Sequence, residues 1–300
     1  MRIIVTGSLG NISKPLTEKL VEKGHDVTVI SSNADRQKDI EAIGAKAAIG
    51  TMQDADFLTK TFTGADIVYC METLGHGFFF NQQLDYMSAI LHIGNNYKQA
   101  IEQSGVKKVV HLSSIGAHTG QGNGMLAFHY RVEKILEELP KSVSIKFMRP
   151  VGFYYNMLAF IPVIKSAGSI IQNYGGDEKE PWVAPVDIAA VIAEEMEKPF
   201  EGRTIHYIAS DEASPNEIAK LLGEAIGKPD LKWIVIPDEQ MLSNLVAAGM
   251  NPGVAKGFVE MNAGRRGNSL YEDYLRNRPV LSNTKLTDFA KEFAAAFNKS

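Results

Sequence analysis

The first thirteen residues constrain this chain more than any other stretch. Arg2-Ile3-Ile4-Val5-Thr6 is a short apolar, β-branched run, and Gly7-Ser8-Leu9-Gly10-Asn11-Ile12-Ser13 follows with no spacer. A helically periodic segment then covers 15–23 and stops at Gly24. The order predicts a buried strand, a glycine turn and a helix. The spacing G-x-x-G-x-x-S is a variant of the dinucleotide fingerprint G-x-G-x-x-G, with Ser13 as a small substitute for the third glycine. Gly7 permits the sharp turn and Gly10 a close backbone approach. The helix start turns free N–H groups and a partial positive charge toward the turn, where a pyrophosphate fits. Gly7, Leu9, Gly10, Asn11 and Ile12 are therefore expected to line the diphosphate of a dinucleotide.

Composition narrows the class. At 300 residues the chain accommodates one large α/β domain or two unequal ones. It is 45% hydrophobic and 22% charged, with a net charge of −4 and both signs interspersed. That balance is globular and gives no basic footprint for nucleic acid or anionic lipid. The lone Cys70 lies in an expected strand, so neither disulfides nor a metal site is expected. No signal peptide precedes Met1-Arg2-Ile3, and the nearest apolar stretch, 153–164, is too short for a bilayer and contains Pro162. The expectation is a cytoplasmic protein whose partner is a small-molecule substrate, not nucleic acid or membrane.

The second strand, Val27-Thr28-Val29-Ile30, ends at Ser31-Ser32-Asn33, where this architecture reads the cofactor ribose. None of Ser31, Ser32 and Asn33 is acidic. With Arg36 and Lys38 they form an anion-friendly group, and Arg grips a phosphate through two parallel hydrogen bonds. NADP is therefore expected over NAD, although Asp35 could still reach the ribose of NAD. A third strand covers 45–50, Asp54 caps the next helix, and Met52 is expected beside the adenine. A fourth strand covers 66–71, and its end, Met71-Glu72-Thr73, faces the cofactor crevice. The alternation implies right-handed crossovers and a doubly wound parallel α/β sheet of Rossmann type, with a smaller α/β substrate domain. Gly75-His76-Gly77 precedes Phe78, Phe79 and Phe80, which read equally as a lid over an apolar substrate or as a plug in the core or an interface.

A helix over 82–104 ends at Gly105, and the strand 106–112 leads to Ser113-Ser114 at its carboxyl end, where open sheets place chemistry. A helix over 125–138 and a strand over 143–148 follow the glycine-rich loop 116–124. Further on, 182–184 reads as a strand, Asp187 as the cap of a helix to 198, and 204–209 as another strand. Ser214-Pro215-Asn216-Glu217 is a capping box. Residues 232–236 form a strand, and the chain is helical beyond Pro237. These segments divide into a nucleotide-binding unit at 1–152, with segments returning near 182–198, and a mostly helical substrate-side unit at 153–300. Arg265, Arg266, Tyr271 and Tyr274 read equally as a substrate mouth or as solvated charge and core packing.

Several stretches, in order from residue 6 to residue 189, carry a resemblance. They are Thr6-Gly7-Ser8-Leu9-Gly10-Asn11-Ile12, Thr63-Gly64-Ala65-Asp66, Val110-His111-Leu112-Ser113-Ser114, Val132-Glu133-Lys134-Ile135-Leu136, Arg149-Pro150-Val151-Gly152-Phe153-Tyr154-Tyr155-Asn156 and Pro185-Val186-Asp187-Ile188-Ala189. Together they resemble the NmrA-like family, an atypical branch of the short-chain dehydrogenase/reductases. The resemblance implies a nicotinamide-binding Rossmann domain, with Phe153 beside the nicotinamide and Tyr155 and Asn156 beside the substrate. Some members reduce quinones, enones or aromatic compounds. Others bind the cofactor without catalysis and act as redox-responsive regulators through a protein partner.

Carbonyl reduction in that superfamily uses a Tyr, a Lys four residues later and an upstream Ser. Tyr130 and Lys134 match this literally, with Ser114 upstream. Yet in related enzymes the Lys stands four residues before the Glu of the V-E-x-I-L stretch. Counting back from Glu133 gives His129, and the Tyr position falls on Met125. On that preferred register Tyr130 and Lys134 sit one helical step, about 100°, off the cofactor face. His129 then becomes the residue to hydrogen-bond the ribose or donate a proton near neutral pH. The missing Tyr argues against alcohol dehydrogenation and sugar epimerisation. The expected function is NADPH-dependent reduction of a small, flat, apolar acceptor such as a quinone or enone, the alternative being a cofactor-binding redox sensor.

Overall fold

The apolar run at the amino terminus forms β1 (Arg2–Val5), and the periodic segment behind the glycine turn forms α1 (Ser13–Glu22). In this computed structural model, which describes residues 1–267 and 269–299 and the backbone alone of His76, the alternation continues. It runs through β2 (Asp26–Ser31), α2 (Gln37–Ala42), β3 (Lys46–Ile49), α3 (Ala55–Phe62), β4 (Ile67–Cys70), α4 (Tyr86–Ser104), β5 (Lys108–Leu112), α5 (Ala127–Glu137) and β6 (Ser144–Pro150). Then come β7 (Gly152–Phe153), α6 (Ile161–Ala167), β8 (Ser169–Gln172), β9 (Glu180–Val183), α7 (Pro185–Glu197) and β10 (Arg203–Ile208). The chain closes with β11 (Asp211–Ala213), α8 (Pro215–Ala225), β12 (Lys232–Val235), α9 (Asp238–Ala247), α10 (Pro252–Ala263), α11 (Glu272–Arg276) and α12 (Leu286–Lys299).

Among the described residues, seven strands form one parallel sheet in the order β10-β6-β5-β4-β1-β2-β3. The order reverses between β1 and β4, and in doubly wound sheets ligands bind outside the carboxyl ends at that switch point. Both faces are covered, which is why β4 reads as continuously apolar and is buried throughout. Leu16 and Leu20 of α1 pack with Ile188 and Ile192 of α7 on one face. Leu58, Ile93, Tyr97 and Val132, from α3, α4 and α5, cover the other. Each such aliphatic side chain contributes roughly 1.5–3 kcal/mol when fully buried.

The expected helix starts are largely present. The Asp54 carboxylate accepts from the amides of Asp56 and Phe57, both at 3.0 Å. Both arms of the Ser214–Glu217 box are made. Asp187 is a correction: α7 begins with Pro185 after Ala184, with no side-chain cap. The Asp187 carboxylate instead accepts from the Ser210 hydroxyl at 2.6 Å and the Thr284 amide at 3.0 Å, tying the helix to the chain behind it. The strand expected over 204–209 also does more than its position in the chain foretold. As β10 it pairs in parallel with β6, so the central sheet draws a strand from beyond residue 152. Beyond the sheet, β9 lies between β7 and an antiparallel β11, while β8 pairs with β12. A separate core of Tyr154, Ile170, Trp182, Leu222 and Phe293 holds these elements together.

Candidate active site

Gly7 sits at φ +88°, and a Cβ there would lie 2.5 Å from Ser13 Oγ and 3.0 Å from Met71 Sδ. Ser8 follows in the left-handed region at φ 54°. Ser13 has a role beyond being small: its hydroxyl donates to the Thr6 carbonyl at 2.8 Å and fastens helix to strand. The Thr6 hydroxyl accepts from the Met71 amide at 3.0 Å, so the ends of β1 and β4 are joined beneath the turn. No side chain caps α1, and its first turn holds no acidic residue. The helix dipole is therefore left uncompensated at the switch point, and a Cβ on Gly10 would meet the Gly7 carbonyl at 3.0 Å. Backbone conformation and charge fit the diphosphate of a dinucleotide.

Around the turn the other expected residues divide. Ser31 is buried, and its hydroxyl bonds the Ser8 hydroxyl at 3.0 Å and the Asn33 amide at 3.2 Å, so it shapes the loop. Asn33 accepts from the Asp35 amide at 2.9 Å, while Ser32, Asn33 and Arg36 are exposed at the rim. The Arg36 guanidinium is 3.4 Å from Asp39. The Tyr97 hydroxyl donates to the Met71 carbonyl at 2.6 Å and lies 2.8 Å from the Met52 sulfur, linking the two methionines. Tyr155 lies beside Asn11 of the turn, and its ring is 5.5 Å from that of Phe153. Asn156 is exposed.

The two catalytic registers separate in space. Lys134 pairs with Glu137 at 2.6 Å and stands 5.5 Å over the Tyr130 ring. Both line a side cleft of about 220 Å³ with His118, Arg149, Asp273 and Ile205, and no residue of the glycine turn lines it. Ser114 is half-buried, its carbonyl accepting from the Ala117 amide at 3.2 Å. The neighbouring Ser113 hydroxyl is buried and donates to Glu133. His129 packs tilted against Phe128, with ring centroids 3.9 Å apart, and its Nδ1 is buried with no hydrogen-bond partner. Burial, followed by the nearby His111 and Arg149, holds the His129 imidazole well below the ordinary histidine range.

A buried pair escaped the reading of the sequence. Glu72 follows β4 and His111 lies in the adjacent β5, with His111 Nε2 3.1 Å from each Glu72 carboxylate oxygen. The signal was partial: His111 sits in the buried part of β5 and Glu72 just beyond β4, and buried charge needs a partner, but nothing local joins residues 39 apart.

A model of the NmrA-like family matches residues 1–289. The chain belongs to that family. It is 24% identical to the NAD(P)H azoreductase of Xenophilus azovorans, over 98% of this chain and 99% of that protein. Among solved structures, the NADPH-dependent quinone oxidoreductase of Escherichia coli, complexed with NADPH, superposes with a TM-score of 0.77 at 20% identity, over 97% of this chain and 99% of that one. The triphenylmethane reductase of Citrobacter sp., complexed with NADP(H), gives 0.73 at 16% identity, over 97% and 99%. These likenesses show a shared Rossmann-type fold.

Two NmrA-like stretches meet in a structural lock. Arg149 Nε and Nη2 lie 2.9 and 2.6 Å from the two Glu133 oxygens, and Nη1 reaches Tyr207 at 3.2 Å and Asp273 at 3.1 Å. The lock fixes α5 against β6 and β10. Arg265 is likewise structural: it stacks 4.3 Å from Tyr174 and 5.0 Å from Trp182, and its Nε bonds the Tyr271 hydroxyl at 3.0 Å. Arg266 pairs with Asp238, and Tyr271 and Tyr274 are buried, so of the two readings core packing and solvated charge fit these four residues. The Phe78–Phe80 segment is sewn down: the Phe79 and Asn81 carbonyls each accept from Asn251 at 2.8 Å, from its amide and side chain. Phe80 remains 58% exposed, and the His76 side chain lies outside the described residues. Among the described residues no group of His, Cys, Asp and Glu could hold a metal ion, and no helix is long and apolar enough to cross a membrane.

Proposed function

We propose that this NmrA-like protein is a reductase that binds NADPH and reduces a small, flat, apolar acceptor such as a quinone or enone. The observation that carries the reading is the uncapped glycine turn, with Tyr155 beside its Asn11 and next to the ring of Phe153. When bound, the reduced nicotinamide supplies a hydride. Backbone amides of 9–12 would hold the diphosphate, and Arg36 at the rim would meet a ribose phosphate. Phe153 and Tyr155 would offer the acceptor an apolar wall that excludes water. The side-cleft position of Tyr130 and Lys134 supports an electron-poor acceptor over an alcohol, because such acceptors take hydride without an activated phenol. The azoreductase and quinone oxidoreductase among its relatives agree with that acceptor class.

The test is NADPH oxidation against a panel of quinones, enones and azo compounds. Saturable turnover of at least one supports the reading. Tight NADPH binding with no turnover of any would replace it with a cofactor-binding sensor that signals through a protein partner.

A further inference from the structure

An unbroken line of hydrogen bonds runs from the glycine turn to the rim of the crevice and has no role in the reading above. It begins at Ser8, the one non-glycine residue in the left-handed region among the described residues. A glycine takes that conformation without strain, as Gly7 beside it does, whereas a side chain there is strained. What the serine adds is a hydroxyl, which donates to Ser31 Oγ at 3.0 Å. The Ser8 amide donates to the Ile30 carbonyl at 3.1 Å, so backbone and side chain both tie the turn to the end of β2.

The line continues through Ser31. Its hydroxyl donates to the Asn33 carbonyl and accepts from the Asn33 amide, each at 3.2 Å. The Asn33 carbonyl also accepts from the Arg36 amide at 3.2 Å, and the Asn33 side chain accepts from the Asp35 amide at 2.9 Å. Asn33 thereby caps a short 3-10 turn, Ala34–Arg36. Ser31 is 2% exposed, and its carbonyl accepts from the Gly50 amide at 2.9 Å. It is a post fixed from the β3 side, to which Ser8 and Asn33 both attach. The Arg36 guanidinium is exposed, so where it can reach follows from where the turn sets its backbone. A loop already ordered before binding loses less freedom when the ligand arrives. NADPH differs from NADH by one ribose phosphate, so a displaced turn costs the contact with that phosphate and little else.

We propose that Ser8 and Ser31 are positioning residues for the ribose phosphate of the coenzyme. Their hydroxyl bridge fixes the turn that presents Arg36 and so sets the preference for NADPH over NADH. The proposal rests on the NADPH reading, and both serines act through Arg36.

The test has a cofactor-free arm and a binding arm, both on the full chain. In the free protein, amide hydrogen exchange followed by NMR should be faster at Asn33 and Arg36 in Ser8→Ala than in the wild type, although the substitution lies outside that turn. Unmoved exchange at both amides overturns the bridge. In direct titrations, Ser31→Ala should weaken NADPH about fivefold more than it weakens NADH, the factor that one net hydrogen bond carries. Ser8→Ala should do the same, and the double variant should lose no more than either. Ser8→Gly removes the backbone strain and should lose the preference equally, because the hydroxyl is what counts. In an Arg36→Ala background, Ser31→Ala should not change the NADPH-to-NADH ratio further. A merely structural serine would weaken both coenzymes alike, in either background, and that result overturns the proposal. If Arg36→Ala abolishes the preference while both serine variants keep it, the NADPH reading stands and only the bridge falls. A wild type that binds NADPH and NADH equally removes the NADPH reading, and the bridge with it.

Discussion

At the scale of single residues, the proposed cofactor choice and the pH response each come down to one side chain. Arg36 is an exposed cation in the turn after β2, its guanidinium 3.4 Å from Asp39. Arg36→Ala should weaken NADPH by about tenfold, or ~1.4 kcal/mol, and leave NADH nearly unchanged when each is titrated directly. Equal losses would contradict the phosphate role. His111 is raised because Glu72 outweighs its burial. A raised imidazole lends stability that is complete below the unfolded value of about 6.5 and fades as pH rises through the folded value. Urea denaturation of the wild type and Glu72→Gln should therefore differ most on the acid side and converge at alkaline pH. Burial, the first cause of the lowered His129, is common to both proteins, so most of its opposite contribution drops out of the comparison. Gly7, Gly10 and Ser13 were legible in the sequence because a turn is a local object. Glu72 and His111 were not, because they stand 39 residues apart and meet only through the pairing of β4 with β5.

At the scale of elements, polar ties decide which pieces stay together. The Glu133–Arg149 pair is almost wholly buried and joins α5 to β6. Arg149→Ala leaves a carboxylate buried without its partner and should lower stability by about 3–5 kcal/mol in urea titrations, where an exposed pair such as Lys134–Glu137 would scarcely register. Asn251 caps α10 and holds the Phe79 and Asn81 carbonyls. Asn251→Ala should cost about 1 kcal/mol as a lost cap and speed amide exchange through residues 78–84 more than elsewhere. Uniform exchange would show that the segment is held by its phenylalanines instead. Helix starts with a side-chain signature, at Asp54 and Ser214, were read correctly. Asp187 was misread because Pro185 already begins α7, leaving the carboxylate free to bind at longer range. Strand β8 went unread because Ser169-Ile170-Ile171-Gln172 holds only two apolar residues between two polar ones.

For the whole molecule, the doubly wound sheet follows from alternating apolar runs and helices, and the family likeness spans nearly all of the chain. What the alternation could not convey is that β10 returns to the central sheet, since a strand carries no mark of the neighbour it will choose. The site's position follows from the sheet order, and its chemistry from what stands at the strand ends. The most direct measurement of the central claim is anaerobic mixing of the NADPH-loaded protein with a quinone while the absorbance of the reduced nicotinamide is followed. The account predicts a single-turnover loss of that absorbance, with one quinone reduced for each nicotinamide oxidised. Persistence of the signal with NADPH fully bound, across quinones, enones and azo acceptors alike, would contradict it.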